Sequence, residues 1–191
     1  MMKISGIILA AGKGLRFGKK KQFVELKGKP IWKWSYDVAK KCLDEVVVVG
    51  VDFKGGKTRQ ESVRIGLEKI TGDKVIIFDA SRPLVSKEQV EEMKKSLDSY
   101  QSVSFGIDLS DTIYSDLEWM RKDLIALQVP QGFDTELLRE AHKFYGGANL
   151  TDDTAVMYLK HGIRPNLLKG GRNLHKLTYP EDLKIIEALC E

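Results

Sequence analysis

Three short runs of apolar, mostly β-branched residues constrain this chain most: ISGIILA at 4–10, EVVVVGV at 45–51 and KVIIFDA at 74–80. Runs of this kind, ending in Gly, Asp or small residues, read as strands buried on both faces, as in a parallel sheet. Segments of helical period lie between them. Segment 30–42 opens at Pro30, a residue tolerated in a first helical turn. Segment 59–70 puts Val63, Leu67 and Ile70 on one face. Segment 87–99 follows Ser86 with Gln89 three positions on, a capping-box pattern. Later, 134–145 and 152–161 read as helices. A last helix opens within TYPEDL, with Thr178 as cap, Pro180 in the first turn and Glu181 reaching back. The alternation predicts a single three-layer α/β/α domain over 1–191 around a mostly parallel sheet. Ligands of such sheets bind outside the carboxyl ends of the strands, which puts residues 11–21 and Asp79 on one edge.

Composition narrows the field. A chain of 191 residues can bury its own core, and 42% hydrophobic with 30% charged residues excludes a disordered protein. The net charge of +4 is too small to point to nucleic acid, yet it suits a local basic site for a small anion. No apolar run approaches about 18 residues, so no membrane span is expected. The start MMKISGIILAAG reads as a first strand rather than a signal peptide, and the cytoplasm is the expected compartment. Cys42 and Cys190 form no CxxC pair and no metal spacing, and both read as free thiols.

The first strand runs straight into GKGLRFGKKKQF, with Gly12, Gly14, Arg16 and Lys21. Glycines leave main-chain N–H groups bare, and a row of them at a strand end forms a nest for anions. Arg16 adds a planar fork for phosphate oxygens and Lys21 a mobile point charge. A short glycine turn followed by solvated lysines is the plainer alternative. Two rival motifs fail: a dinucleotide fingerprint needs glycine where Phe17 stands, and a P-loop ending in GGKT at 55–58 needs glycine where Val51 stands.

Six blocks in order, LAAGKGLRFGKKKQF, GGKTRQESVRIGL, FDASRP, VPQGF, TDDTAV and HKLTYPEDL, resemble the 2-C-methyl-D-erythritol 4-phosphate cytidylyltransferase family over nearly the whole chain. Ribitol-5-phosphate cytidylyltransferase is its near relative. The resemblance implies a Rossmann-like nucleotidyltransferase fold, CTP and a polyol phosphate as substrates, magnesium, and a homodimer embraced through a β-arm. It implies transition-state stabilisation by Arg16 and Lys21, and phosphate binding by Ala10, Ala11, Gly12 and Gly14. Gly56 and Ser62 fall on cytosine-recognising positions. Asp79, Arg82, Arg121, Thr151 and Lys176 fall on positions that hold the acceptor. The alternatives are ribitol 5-phosphate or another polyol phosphate as acceptor, or nucleotide binding without turnover.

The departures are specific. Phe78 stands where the family has histidine, Val129 where it has threonine and Lys57 where aspartate is common, and the asparagine before Lys176 is displaced by one residue. The stretch after the second strand is short, and so is the arm around 108–122. Plain structural readings exist beside the functional ones. Asp79 could cap a turn, Ser62 could face water, and Asp152 and Asp153 could cap a helix, with magnesium a secondary role. Pro180, Glu181 and Asp182 are assigned to helix initiation alone. His142, His161 and His175 show no ligand spacing.

Overall fold

The computed structural model describes residues 2–114, 124–145, 150 and 152–190, together with the backbone of 119–120. In chain order the strands are β1 (Ile4–Leu9), β2 (Glu25–Leu26), β3 (Lys29–Pro30), β4 (Glu45–Val49), β5 (Lys74–Asp79), β6 (Ser102–Asp108), β7 (Ile113–Tyr114), β8 (Trp119–Met120), β9 (Ile125–Asp134) and β10 (Asn166–Lys169). The helices are α1 (Ile31–Cys42), α2 (Arg59–Leu67), α3 (Lys87–Leu97), α4 (Thr135–Phe144), α5 (Asp153–His161) and α6 (Asp182–Ala188). Six strands form one sheet in the order β10-β6-β9-β5-β1-β4. The pairs β1–β4, β1–β5 and β6–β10 are parallel, and β9 alone runs against its neighbours β5 and β6.

The three apolar runs are buried on both faces because their side chains alternate between two cores. Ile4, Ile8, Ile76 and Phe78 point into a core with residues of α1 and α3. Ile7, Val49, Val75 and Ile77 point into the opposite core with α2, α4 and α5. The three layers expected from the sequence are therefore present. A third, smaller core gathers Phe17, Leu26, Ile31, Leu177 and Ile186, and so seats the glycine loop against α6. The departure at Phe78 has a packing reason, since that ring is 1% exposed beneath the sheet. Cys42 and Cys190 are free thiols. Among the described residues no helix is long and apolar enough to cross a membrane.

Helix starts follow the sequence with two exceptions, the first being Pro30, which precedes α1 as its N-cap and belongs to β3 instead of filling the first turn. Ser86 and Gln89 form the expected capping box, and Thr58, Asp134 and Asp152 accept the first free N–H groups of α2, α4 and α5. The last helix differs. It begins at Asp182, Glu181 makes no side-chain cap, and Thr178 Oγ1 donates instead to the Lys176 carbonyl at 3.1 Å. Asp182 takes over the back-reaching role by accepting the N–H groups of Thr178 and Tyr179. The segment between β4 and α2 holds no helix, in line with its short length. In the arm, β7 pairs antiparallel with β8.

Candidate active site

A cavity of about 520 Å³ opens at the carboxyl ends of β1 and β5 and the start of α2. It lies where the chain leaves β1 for β4 on one side and then crosses to β5 on the other, the place where α/β sheets hold ligands. Ala10, Ala11, Gly12, Gly14, Arg16, Lys21, Gly56, Ser62, Asp79 and Lys176 all line it. Residues from opposite ends of the chain thus meet in one space. Arg121 and Thr151 lie outside the described residues.

The glycine loop forms the first wall. The N–H groups from Ala11 to Arg16 donate to no acceptor among the described residues, and all six of these residues line the cavity. Gly14 has φ +69°, and a Cβ there would strike the Lys19 carbonyl. Gly50, at φ +106°, closes the loop from below: a Cβ would stand 2.5 Å from the Ala10 carbonyl carbon. Arg16 is exposed, with its guanidinium carbon 5.8 Å from the Tyr179 ring centre. Lys21 lines the cavity and donates to the Leu177 carbonyl. Burial, and then the Lys176 ammonium beside it, pull the Lys21 pKa down to about 8.

The second wall is an internal ion network. Asp79, 7% exposed, receives Lys176 Nζ on Oδ2 at 2.9 Å and faces Arg59 Nε from Oδ1 at 3.7 Å. Arg59 Nη1 donates to Asp153 Oδ2 at 2.6 Å, and Asp153 Oδ1 is 3.0 Å from His142 Nε2. Burial alone would raise both carboxyls. Lys176 and Arg59 outweigh it at Asp79, Arg59 and His142 outweigh it at Asp153, and both stay below the usual carboxylate range. Asp153 is therefore more than a capping residue: it is fully buried and anchors Arg59. Asp152 keeps the capping role, accepting Thr154 N at 2.9 Å and Gln131 Nε2 at 2.9 Å.

Two expected residues sit differently from their neighbours. Arg82 is absent from the residues lining the cavity, and its Nη1 donates to the Leu174 carbonyl. It ties the turn after β5 to the segment before Lys176. Ser62 lines the cavity, but its hydroxyl accepts from Gly56 N at 3.1 Å and donates to Thr58 O at 3.0 Å. That hydroxyl therefore also shapes the Gly55–Thr58 loop. Arg59 is the residue that the sequence reading passed over. A signal was present: an arginine in the first turn of a helix opposes the helix dipole and calls for a counter-charge.

A family model described as 2-C-methyl-D-erythritol 4-phosphate cytidylyltransferase matches residues 51–191. The chain belongs to this family. A model for the MobA-like NTP transferase domain matches residues 6–65, the stretch that carries the glycine loop. A relative of the same family name from Clostridium novyi (strain NT) is 32% identical over 230 aligned positions, covering 100% of this chain and 98% of that one. Another, from Aquifex aeolicus (strain VF5), is 33% identical over 212 positions, covering 98% of each. The crystal structure of 2-C-methyl-D-erythritol 4-phosphate cytidylyltransferase from Thermus thermophilus superposes with a TM-score of 0.85 at 28% identity, covering 98% of both chains. The family is one of nucleotidyltransferase enzymes, and the fold of this chain is theirs.

Proposed function

We propose that this chain transfers a cytidylyl group from CTP to 2-C-methyl-D-erythritol 4-phosphate and releases pyrophosphate, a step of isoprenoid precursor synthesis. The observation that carries the reading is the cavity itself. A bare main-chain cradle faces Arg16, Lys21 and Lys176, and Asp79 is the one carboxylate among the described lining residues.

The chemistry requires little else. An acceptor phosphate oxygen, already ionised, attacks the α-phosphorus of CTP, and the bond to the pyrophosphate oxygen breaks in line. No covalent enzyme intermediate forms and no general base is needed. The barrier is the repulsion between two anions and the charge that moves onto the leaving oxygen, so fixed cations and alignment do the work. Arg16 and Lys21, beside the cradle, take the triphosphate and the charge developing on it. Lys176, Asp79 and Arg59 form the wall assigned to the acceptor, to which Arg121 and Thr151 are also assigned. Gly56 and Ser62 face the base.

Magnesium fits this donor set only in one form. No group of three His, Cys, Asp or Glu side chains that could hold a metal occurs among the described residues. A cation carried by the triphosphate and its waters suits a metal that takes few protein ligands, since Asp79, the one lining carboxylate among the described residues, already faces Lys176 and Arg59. When bound it would neutralise further phosphate charge. The reading takes 1–191 as one domain acting in the cytoplasm, with a homodimer as its assembly.

Pyrophosphate release with CTP, magnesium and a panel of polyol phosphates tests the function. Release is expected with 2-C-methyl-D-erythritol 4-phosphate and CTP above other nucleotides. Faster release with ribitol 5-phosphate would transfer the activity to that acceptor. Tight CTP binding without any release would make the protein a nucleotide-binding module.

A further inference from the structure

Asp182 lies outside the cavity, yet it holds the segment that carries Lys176 into the cavity wall. Its Oδ2 accepts the N–H groups of Thr178 and Tyr179, both at 2.7 Å, and its Oδ1 is 2.9 Å from His175 Nε2. One carboxylate therefore fastens both ends of a bow running from His175 to Thr178. Burial would raise the Asp182 carboxyl, but these three hydrogen-bond partners hold it below the usual range.

The bow is where the reacting cations converge. Lys176 Nζ sits on Asp79 at 2.9 Å, and Leu177 N donates to Ser81 O at 2.8 Å. The Leu177 carbonyl accepts Lys21 Nζ, and the Tyr179 ring lies under Arg16. Among the described residues the bow pairs with no strand, and its ends are held by the Asp182 carboxylate. Such a segment needs an internal staple to keep one shape.

We propose that Asp182, assisted by His175, is a positioning residue for the transfer: it touches no substrate and acts by setting Lys176 and the Leu177 carbonyl that anchors Lys21. The proposal rests on the cytidylyl-transfer reading of the cavity. Without the staple the bow can rotate, and misplacement on the ångström scale is enough to slow an aligned displacement.

The test measures pyrophosphate release by the wild type, Asp182→Ala, Asp182→Asn, His175→Gln and Glu181→Ala, each also in the Lys176→Ala background. Amide hydrogen exchange over 175–180 is followed on the same proteins. Asp182→Ala is expected to lower kcat about 10- to 100-fold, the cost of a small misplacement at a reacting centre. Asp182→Asn, which keeps one acceptor oxygen, should fall between it and the wild type. His175→Gln should cost less than Asp182→Ala, and Glu181→Ala should match the wild type. In the Lys176→Ala background the Asp182 effect should shrink to the part carried by the Leu177 carbonyl and Lys21, because the part carried by Lys176 is already lost. Exchange over 175–180 should quicken in Asp182→Ala. If Asp182→Ala fails to fold, Asp182→Asn carries the same comparison. Wild-type kcat in a folded Asp182 variant, or an undiminished effect beside Lys176→Ala, would overturn the proposal. An inactive wild type would instead refute the transfer reading, and the exchange data would still report on the staple.

Discussion

On one wall of the cavity, Lys13, Leu15 and Arg16 stand exposed on the glycine loop, and Lys13 and Arg16 pair with no carboxylate among the described residues. On the other wall, Asp79 and Arg59 are sunk into the protein and bound to Lys176 and Asp153. The first wall is left short of counter-charge, so on the proposed reading an incoming triphosphate becomes its partner. The second carries its own counter-charges, so its groups are already ordered before the acceptor assigned to it arrives. Binding strength and alignment are thereby divided between two surfaces, and substitutions should separate them.

The largest effect is expected where the network is cut. Arg59→Ala leaves Asp153 buried with only His142, and should cost about 3–5 kcal/mol of stability, as breaking a buried pair does. Thermal or denaturant unfolding measures it. The sign with pH follows from linkage: carboxylates held below their ordinary range stabilise the fold above pH about 4 and lose that contribution as the pH falls. Wild-type protein should therefore weaken in acid, and Arg59→Ala should weaken less steeply. A loss under about 0.5 kcal/mol, the usual effect of a surface change, would erase the distinction between the walls.

The exposed wall should respond in the opposite manner. Arg16→Ala should lower kcat by about 100-fold or more, the usual cost of one transition-state donor, while leaving the unfolding midpoint nearly unchanged. Arg16→Lys should also be poor, since a point charge does not replace the guanidinium fork. Turnover near the wild type in either variant would remove Arg16 from the mechanism.

A smaller and more discriminating effect concerns Lys21, which bridges the walls. Its pKa is lowered to about 8, so its ammonium is present below that pH and lost above it. The value of kcat/KM for CTP should bend downward near pH 8 and fall about tenfold per unit beyond it. The bend should vanish in Lys21→Ala at a lower overall rate. An alkaline limb unchanged in that variant would assign it to another group.

The two walls were not equally legible in the sequence. The glycine loop is local: strand 4–9, Gly12, Gly14, Arg16 and Lys21 follow one another, so period and residue type sufficed. The braced wall is assembled from positions far apart, with Arg59 meeting a carboxylate 94 residues away, and no spacing rule encodes that meeting. Capping chemistry predicted Ser86 and Asp152 well because it acts within three residues. It misassigned the last helix because Thr178, Glu181 and Asp182 all satisfy the same local pattern, and it is Asp182 that accepts the N–H groups of Thr178 and Tyr179. The strands β6 and β9 escaped notice for a related reason. Their sequences SVSFGID and IALQVPQGFD carry Gly, Pro and Gln, which interrupt the apolar signal, although the sheet still holds them.

The most direct test of the whole account is a crystal structure with CTP bound. The triphosphate should rest on the main-chain N–H groups of residues 11–16, with the Arg16 guanidinium and Lys21 ammonium on its oxygens and the base beside Gly56 and Ser62. A nucleotide seated elsewhere, with Arg16 still over the Tyr179 ring and the cradle empty, would contradict it.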